Sequence, residues 1–280
     1  VEIVISGGDS FTFGAELPDD INGDFSGVPS KLSWANLISE KLNSKHINLA
    51  SSGRSNAFIT RRVLSTTVRA LEKYSAEDIF VQVMWTFVAR REFKLLEGTL
   101  SEQMYKNDSE WLALDPHAIE DESKAEWFLK VDPSTPNYKN TKDSLQRKYN
   151  LYKDAGIVDF GKHWYKIISD EDDTYSSLRD MLLLQEFLKN RNIKYVFSYV
   201  GHYVPDQIFK ESSNTYIDSF RQSIDKDNWF HFPGDWPRSK YLGFNDWALI
   251  NNYEYATSHP LAKAHEDAAE LIYEHIKKIL

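Results

Sequence analysis

The residues best suited to chemistry stand at opposite ends of the chain. Near the start, a β-branched run from Glu2 to Ser6 leads into Gly7-Gly8-Asp9-Ser10-Phe11-Thr12-Phe13-Gly14. A serine at the end of a strand, on a glycine-rich turn leading toward a helix, presents its Oγ and leaves its backbone N–H free to hold a developing oxyanion. A plain turn, with Asp9 and Ser10 only capping a helix, fits the same residues. Near the end, Ser258-His259-Pro260 opens the last helical stretch, with the proline fixing the backbone beside an imidazole able to move a proton. His265 falls between Leu261, Ala264 and Ala268 on the inward face and reads as a packed, hydrogen-bonded core residue.

Placing a serine and a histidine together over some 250 residues requires a regular scaffold, and the pattern supplies one. Helical spacing runs from Ser33 to Leu42, with a short strand from His46 to Leu49 and a helix from Ser55 to Tyr74. A nearly continuous apolar strand follows from Ile79 to Met84. Apolar residues on both sides of that strand mark it as central and covered on both faces. From 93 to 168 the periodicity stops, and charges and prolines mix with Tyr105, Trp111, Trp127, Tyr138, Tyr149, Trp164 and Tyr165. This segment reads as an insertion or lid within a single domain spanning 1–280. Alternation resumes with a helix from Tyr175 to Asn190, a strand from Lys194 to Val200, a short fifth strand from Trp229 to Phe232 and a closing helix from Pro260 to Leu280. The order predicts an α/β fold: three layers, α/β/α, about a mostly parallel, flavodoxin-like sheet of about five strands, with a long insertion after the third. Ligands on such sheets sit at the carboxyl ends of the strands.

Composition narrows the partners. The 280 residues carry 33 Lys plus Arg against 42 Asp plus Glu, a formal charge of −9, with no basic run. Nucleic acid and anionic membrane surfaces are therefore not expected partners. No apolar stretch reaches the roughly 20 residues of a membrane span, and 41% hydrophobic with 27% charged residues is ordinary for a soluble globular chain. Cysteine is absent, which excludes thiolate chemistry and Cys-ligated metals. His202, His231, Asp206 and Asp235 lack HxH or HExxH spacing, so no metal is expected. Gly7, Gly8 and Gly14 do not make a dinucleotide fingerprint, and no GxxxxGK[ST] loop occurs, so no cofactor is expected. The visible sequence opens on the apolar run Val1 to Ile5, without a basic n-region or cleavage-site pattern. Compartment and oligomeric state are not written in the sequence.

Three blocks together resemble the SGNH hydrolases, or GDSL-type esterases and lipases. Gly8-Asp9-Ser10-Phe11-Thr12-x-Gly14 is similar to the family's nucleophile block. Asn48-Leu49-Ala50-Ser51-Ser52-Gly53 reproduces its Asn and oxyanion Gly, and His259-Pro260 with His265 is similar to its terminal histidine block. The resemblance implies a metal-independent serine ester hydrolase. Ser10 is then the nucleophile, His259 the general base, and the N–H groups of Ser10 and Gly53 the oxyanion donors, with Asp9 and Asn48 facing substrate. By its place just after the fourth strand His202 reads either as a substrate contact or as a hydrogen-bonded loop histidine, and Arg90, after the third, either as a substrate contact or as half of a surface ion pair. Two departures stand out. Trp85-Thr86-Phe87-Val88 replaces the family's third block with its Asn, leaving Thr86 Oγ or Arg90 as substitutes. Ala256 occupies the usual acid position three residues before the histidine, leaving Glu254 or Asp246 as candidate acids, or a backbone carbonyl orienting the ring.

The aromatic and polar segment 93–168 favours removal of acetyl or another short acyl group from a carbohydrate or small ester. The competing expectation is a glycan-binding or structural module that keeps the scaffold without turnover, and an acyltransferase is a third.

Overall fold

The computed structural model describes residues 1–20, 28–94, 111–114, 150, 152–209, 215–235 and 239–280. Among these, four parallel strands form one sheet in the order β2-β1-β3-β6: β1 (Ile3–Gly7), β2 (Lys45–Asn48), β3 (Ile79–Trp85) and β6 (Lys194–Tyr199). An antiparallel pair, β4 (Arg91–Lys94) and β5 (Trp111–Leu114), stands apart from it. The α/β class and the parallel sheet expected from the sequence are present.

Alternation along the strands explains the layering. Ile3, Ile5, Val81, Val83, Trp85, Phe197 and Tyr199 face one core, shared with α3 (Asn56–Ala70) and α5 (Asp170–Lys189). Their neighbours Val4, Phe80, Met84 and Val196 face the other core, beneath α2 (Trp34–Lys41), α8 (Phe244–Ile250) and α9 (Ala262–Ile279). A strand buried on both faces has no polar side to show, which is why β1 and β3 read as nearly continuous apolar runs, interrupted by Ser6 and Gln82, whose side chains hydrogen-bond to each other.

Helix starts follow local chemistry. Ser33 and Ser55 cap α2 and α3, each side chain accepting from the N–H three residues on. Helix α5 begins five residues before the expected Tyr175, because Ser169 caps it and Asp170, Glu171, Asp172 and Asp173 fill its first turn, where the dipole favours negative charge. The expected fifth strand is reduced to single bridges. Trp229 pairs in parallel with Phe197, placing it beyond β6, while Phe232 pairs antiparallel with Leu242. Pro233, with no N–H to give, ends the run.

Much of 93–168 lies outside the described residues, including Tyr105, Trp127, Tyr138 and Tyr149. What is described includes α4 (Ile157–Ile167), an amphipathic helix that the sequence reading passed over. Phe93 meets Phe160 and Trp164 edge-on at 5.1 and 4.9 Å, so part of this segment's aromatic content forms a small core of its own. Among the described residues no helix is long and apolar enough to cross a membrane.

Candidate active site

The carboxyl end of β1 turns sharply at Gly7 and Gly8. A Cβ on Gly8 would lie 2.0 Å from Thr12 Oγ1, so the chain can fold back onto the next helix only without a side chain there. That helix, α1 (Ser10–Phe13), is a single turn. Asp9 caps it, its Oδ1 accepting from Phe11 N at 3.1 Å, and Gly14 closes it at φ 80°, its N–H donating to Ser10 O. Ser10 therefore opens the turn, 6% exposed. Asn48, at the end of β2, donates from Nδ2 to Thr12 O at 3.1 Å and accepts from Ala50 N at 3.0 Å. In these bonds the Asn expected to face substrate ties the second strand to the helix of Ser10. Gly53, further along this loop, has φ 70° and open space where a Cβ would stand.

Beyond β3 the side chain of Asn56 brackets one peptide. Its Oδ1 accepts from Thr86 N at 3.0 Å and its Nδ2 donates to Thr86 O at 3.1 Å. Thr86 Oγ1 donates to Asp9 Oδ2 at 2.6 Å and accepts from Arg90 Nη1 at 2.8 Å, and the same Nη1 reaches Asp9 Oδ2 at 2.9 Å. This corrects the sequence reading of Thr86: its hydroxyl proton is already given to Asp9 and its side chain is fully buried, so it is not aimed at an oxyanion. Asp9 is also fully buried, an internal cap and counter-ion, which corrects its assignment to the substrate-facing residues. Arg90 is 12% exposed at its side chain, its guanidinium 4.4 Å from the Phe87 ring centre.

His259 sits across from α1, its ring 4.8 Å from that of Phe11, the residue after Ser10. The structure thus brings together the two ends of the chain that the sequence singled out. Neither expected carboxylate accompanies the histidine. Asp246 is committed to His202, accepting from its ring Nδ1 at 2.8 Å and from its backbone N–H, and also from Gly243 N at 3.1 Å. Glu254 is exposed, and it is its backbone carbonyl that accepts from Leu261 N. The carboxylate at His259 is Glu16, whose Oε2 lies 2.9 Å from Nδ1, 3.1 Å from His259 N and 3.0 Å from Ser258 N. Burial works against the charge on Glu16. The hydrogen bond and charge of His259, with the two backbone N–H groups, outweigh it and hold the carboxyl below its usual range. Sequence reasoning missed Glu16 because 243 positions separate it from His259. The one available signal was the trio of carboxylates, Glu16, Asp19 and Asp20, just after the nucleophile block.

On the far side of the same edge, His202 follows β6 and leads into α6 (Tyr203–Ile208), with α7 (Thr215–Gln222) further along the chain. Tyr203 stacks on Phe87 at 4.6 Å and 14°. Arg90, Phe87, Tyr203 and His202 thus form a half-buried wall of aromatic and polar groups. His265 is a core residue as expected. It is fully buried, accepts from Trp34 N at 3.1 Å, and is pushed down to about 3 by desolvation. Among the described residues no three His, Asp or Glu side chains converge as metal ligands would.

No protein-family model and no curated protein matches the sequence. Among solved structures the chain is similar to esterases and lipases. One is the psychrotrophic esterase EstA from Pseudoalteromonas sp., at 13% identity over 99% of this chain and 98% of that one, with a TM-score of 0.42. Another is an extracellular lipase from Streptomyces rimosus, at 9% identity over the full length of both chains, with a TM-score of 0.43. A third is the acetyl xylan esterase Est2A from the rumen bacterium Butyrivibrio proteoclasticus, at 11% identity over 99% of this chain and 63% of that one, with a TM-score of 0.42.

Proposed function

We propose that the chain is a serine ester hydrolase acting by a Ser-His mechanism. The observation that carries the proposal is the seating of His259 against the helix that Ser10 opens, at the carboxyl edge of a parallel sheet. Ser10 Oγ attacks the ester carbonyl carbon while His259 takes its proton. The tetrahedral intermediate collapses, the C–O bond to the alcohol breaks, and His259 protonates the departing oxygen. Water then attacks the acyl-enzyme, giving its proton to His259, and the acid leaves as Ser10 recovers its hydrogen. We assign the developing oxyanion to the backbone N–H groups of Ser10 and Gly53; Gly53 is a left-handed residue with open space where a side chain would stand. No cofactor or metal enters this scheme.

The substrate we propose is a short acyl ester, acetyl above all, on a carbohydrate or small alcohol. The half-buried wall of Phe87, Tyr203, His202 and Arg90 supports it, since such a surface stacks on sugar rings and takes hydroxyls better than it takes a long acyl chain. One observation favours a second reading, a binding module without turnover: Thr86 Oγ1 is spent on Asp9, which leaves two oxyanion donors. Hydrolysis of 4-nitrophenyl acetate, 4-nitrophenyl octanoate and acetylated xylo-oligosaccharides separates the two. The proposal expects acetyl release from the sugar, a preference for acetate over octanoate, and loss of turnover in Ser10→Ala with sugar binding retained. Sugar binding with no hydrolysis, unchanged in Ser10→Ala, would establish the binding module instead.

A further inference from the structure

The sequence leaves His259 without an evident carboxylate, since Ala256 stands where one is expected and Asp246 and Glu254 are otherwise placed. The structure offers a partner from the other end of the chain. We propose that Glu16, in the loop that follows the helix of Ser10, is the positioning residue that orients His259. This inference rests on the reading of Ser10 and His259 as nucleophile and base.

Three features of the geometry carry it. Glu16 Oε2 accepts from Ser258 N and His259 N as well as approaching Nδ1, so two backbone donors fix the carboxylate where the ring meets it. With an acceptor-only oxygen 2.9 Å from Nδ1, the neutral ring carries its proton on Nδ1, and the Nε2 lone pair is left to take the proton of a nucleophile. Ser258 Oγ, at 3.1 Å from the same nitrogen, is a hydroxyl that either donates or accepts, and so does not select a tautomer by itself.

The second feature is the backbone of Glu16. It is not a glycine, yet it holds φ 66°, a left-handed conformation that is strained for a residue with a side chain and persists only where the surroundings impose it. Its N–H donates to Asp20 Oδ2 at 3.0 Å, which closes the loop behind it. The third is the shared support. Gly14 N and Ala15 N both donate to Ser10 O, at 2.9 and 3.0 Å, so the seven residues from Ser10 to Glu16 hold both the nucleophile and the anchor of the base. The charged and titratable groups around this cluster are Asp19 and Asp20 on the same loop and His265 on α9, which feels the charge of His259.

Glu16→Gln and Glu16→Ala together test the assignment: the amide oxygen keeps an acceptor for the two backbone donors and for Nδ1 but removes the charge, and alanine removes the acceptor as well. Imidazole 15N spectra of the wild type and of Glu16→Gln should show the Nδ1–H tautomer at His259, and those of Glu16→Ala a mixture or the opposite tautomer. In parallel, kcat for 4-nitrophenyl acetate should fall roughly 10²- to 10⁴-fold in Glu16→Ala, and less in Glu16→Gln, with KM changed less than about threefold. An unchanged tautomer in Glu16→Ala, or kcat there within about threefold of wild type, would overturn the role of Glu16. The spectra read Glu16 whether or not the protein turns over an ester. Failure of the hydrolase reading would appear separately, as a wild type that shows the expected tautomer and no hydrolysis.

Discussion

Asp9 offers the sharpest test of how the nucleophile turn is held. Its carboxylate is fully buried and receives three groups: the Phe11 N–H at 3.1 Å, the Thr86 hydroxyl at 2.6 Å and Arg90 Nη1 at 2.9 Å. Asp9→Asn keeps an oxygen for the cap but removes the charge that answers Arg90. Breaking a buried ion pair from one side costs about 3–5 kcal/mol, and Arg90, 12% exposed and packed on Phe87, places this substitution near 3. Asp9→Ala loses the cap as well, about 1 kcal/mol more. Arg90→Met strands the fully buried carboxylate and belongs near 5 kcal/mol. The double variant Asp9→Asn, Arg90→Met should lose far less than the sum, with a coupling of at least about 2 kcal/mol. Urea unfolding at pH 7, followed by tryptophan fluorescence and far-UV circular dichroism, measures the four variants against wild type. An Asp9→Asn variant within about 0.5 kcal/mol of wild type, or additive single variants, would refute the reasoning.

The buried histidines make stability depend on acid. His265 is pushed down to about 3, and His46 and His231 to about 4, each chiefly by desolvation. Below the unfolded value of about 6.5 the unfolded chain binds protons that the folded chain refuses, so stability is full above that pH and falls as pH drops toward 4. For fully buried His265 alone the loss at pH 4 is about 3 kcal/mol. Asp173 and Asp180, raised by burial, oppose this trend, so the histidine share is read by comparing wild type with His265→Gln. A variant whose unfolding midpoint falls between pH 6.5 and 4 as steeply as that of wild type would contradict it. Two glycines should respond differently to alanine. At Gly243 a Cβ would lie 2.3 Å from Gly201 N and 2.4 Å from Val200 C and O, so Gly243→Ala should cost at least about 3 kcal/mol. Gly53→Ala meets open space and only a φ of 70°, about 1 kcal/mol. Thermal unfolding ranks the two, and the reverse order would be wrong for this structure.

The sequence was most legible where one physical rule dominates. Strands β1 and β3 are buried on both faces and so read as nearly continuous apolar runs, and Ser33 and Ser55 announce their helices by side-chain caps. It was less legible where competing local signals sit close together. Acidic Asp170 to Asp173 look like loop yet form the first turn of α5, and Trp229 to Phe232 look like strand yet pair only at single bridges before Pro233. At the site, Ser10, Gly53 and His259 were named from local motifs. Contacts across the fold were not readable: Thr86 to Asp9 spans 77 positions and Glu16 to His259 spans 243. Asp246 was placed near the right edge but answers His202, because Gly243 packs its loop against the end of β6.

The central claim is that Ser10 is an activated nucleophile, and its reactivity is the most direct test. Intact-mass spectrometry after treatment with a serine-directed fluorophosphonate, run on folded wild type and folded Ser10→Ala, should show one adduct on the first and none on the second. No adduct on the wild type, or an adduct that persists in Ser10→Ala, would contradict the account.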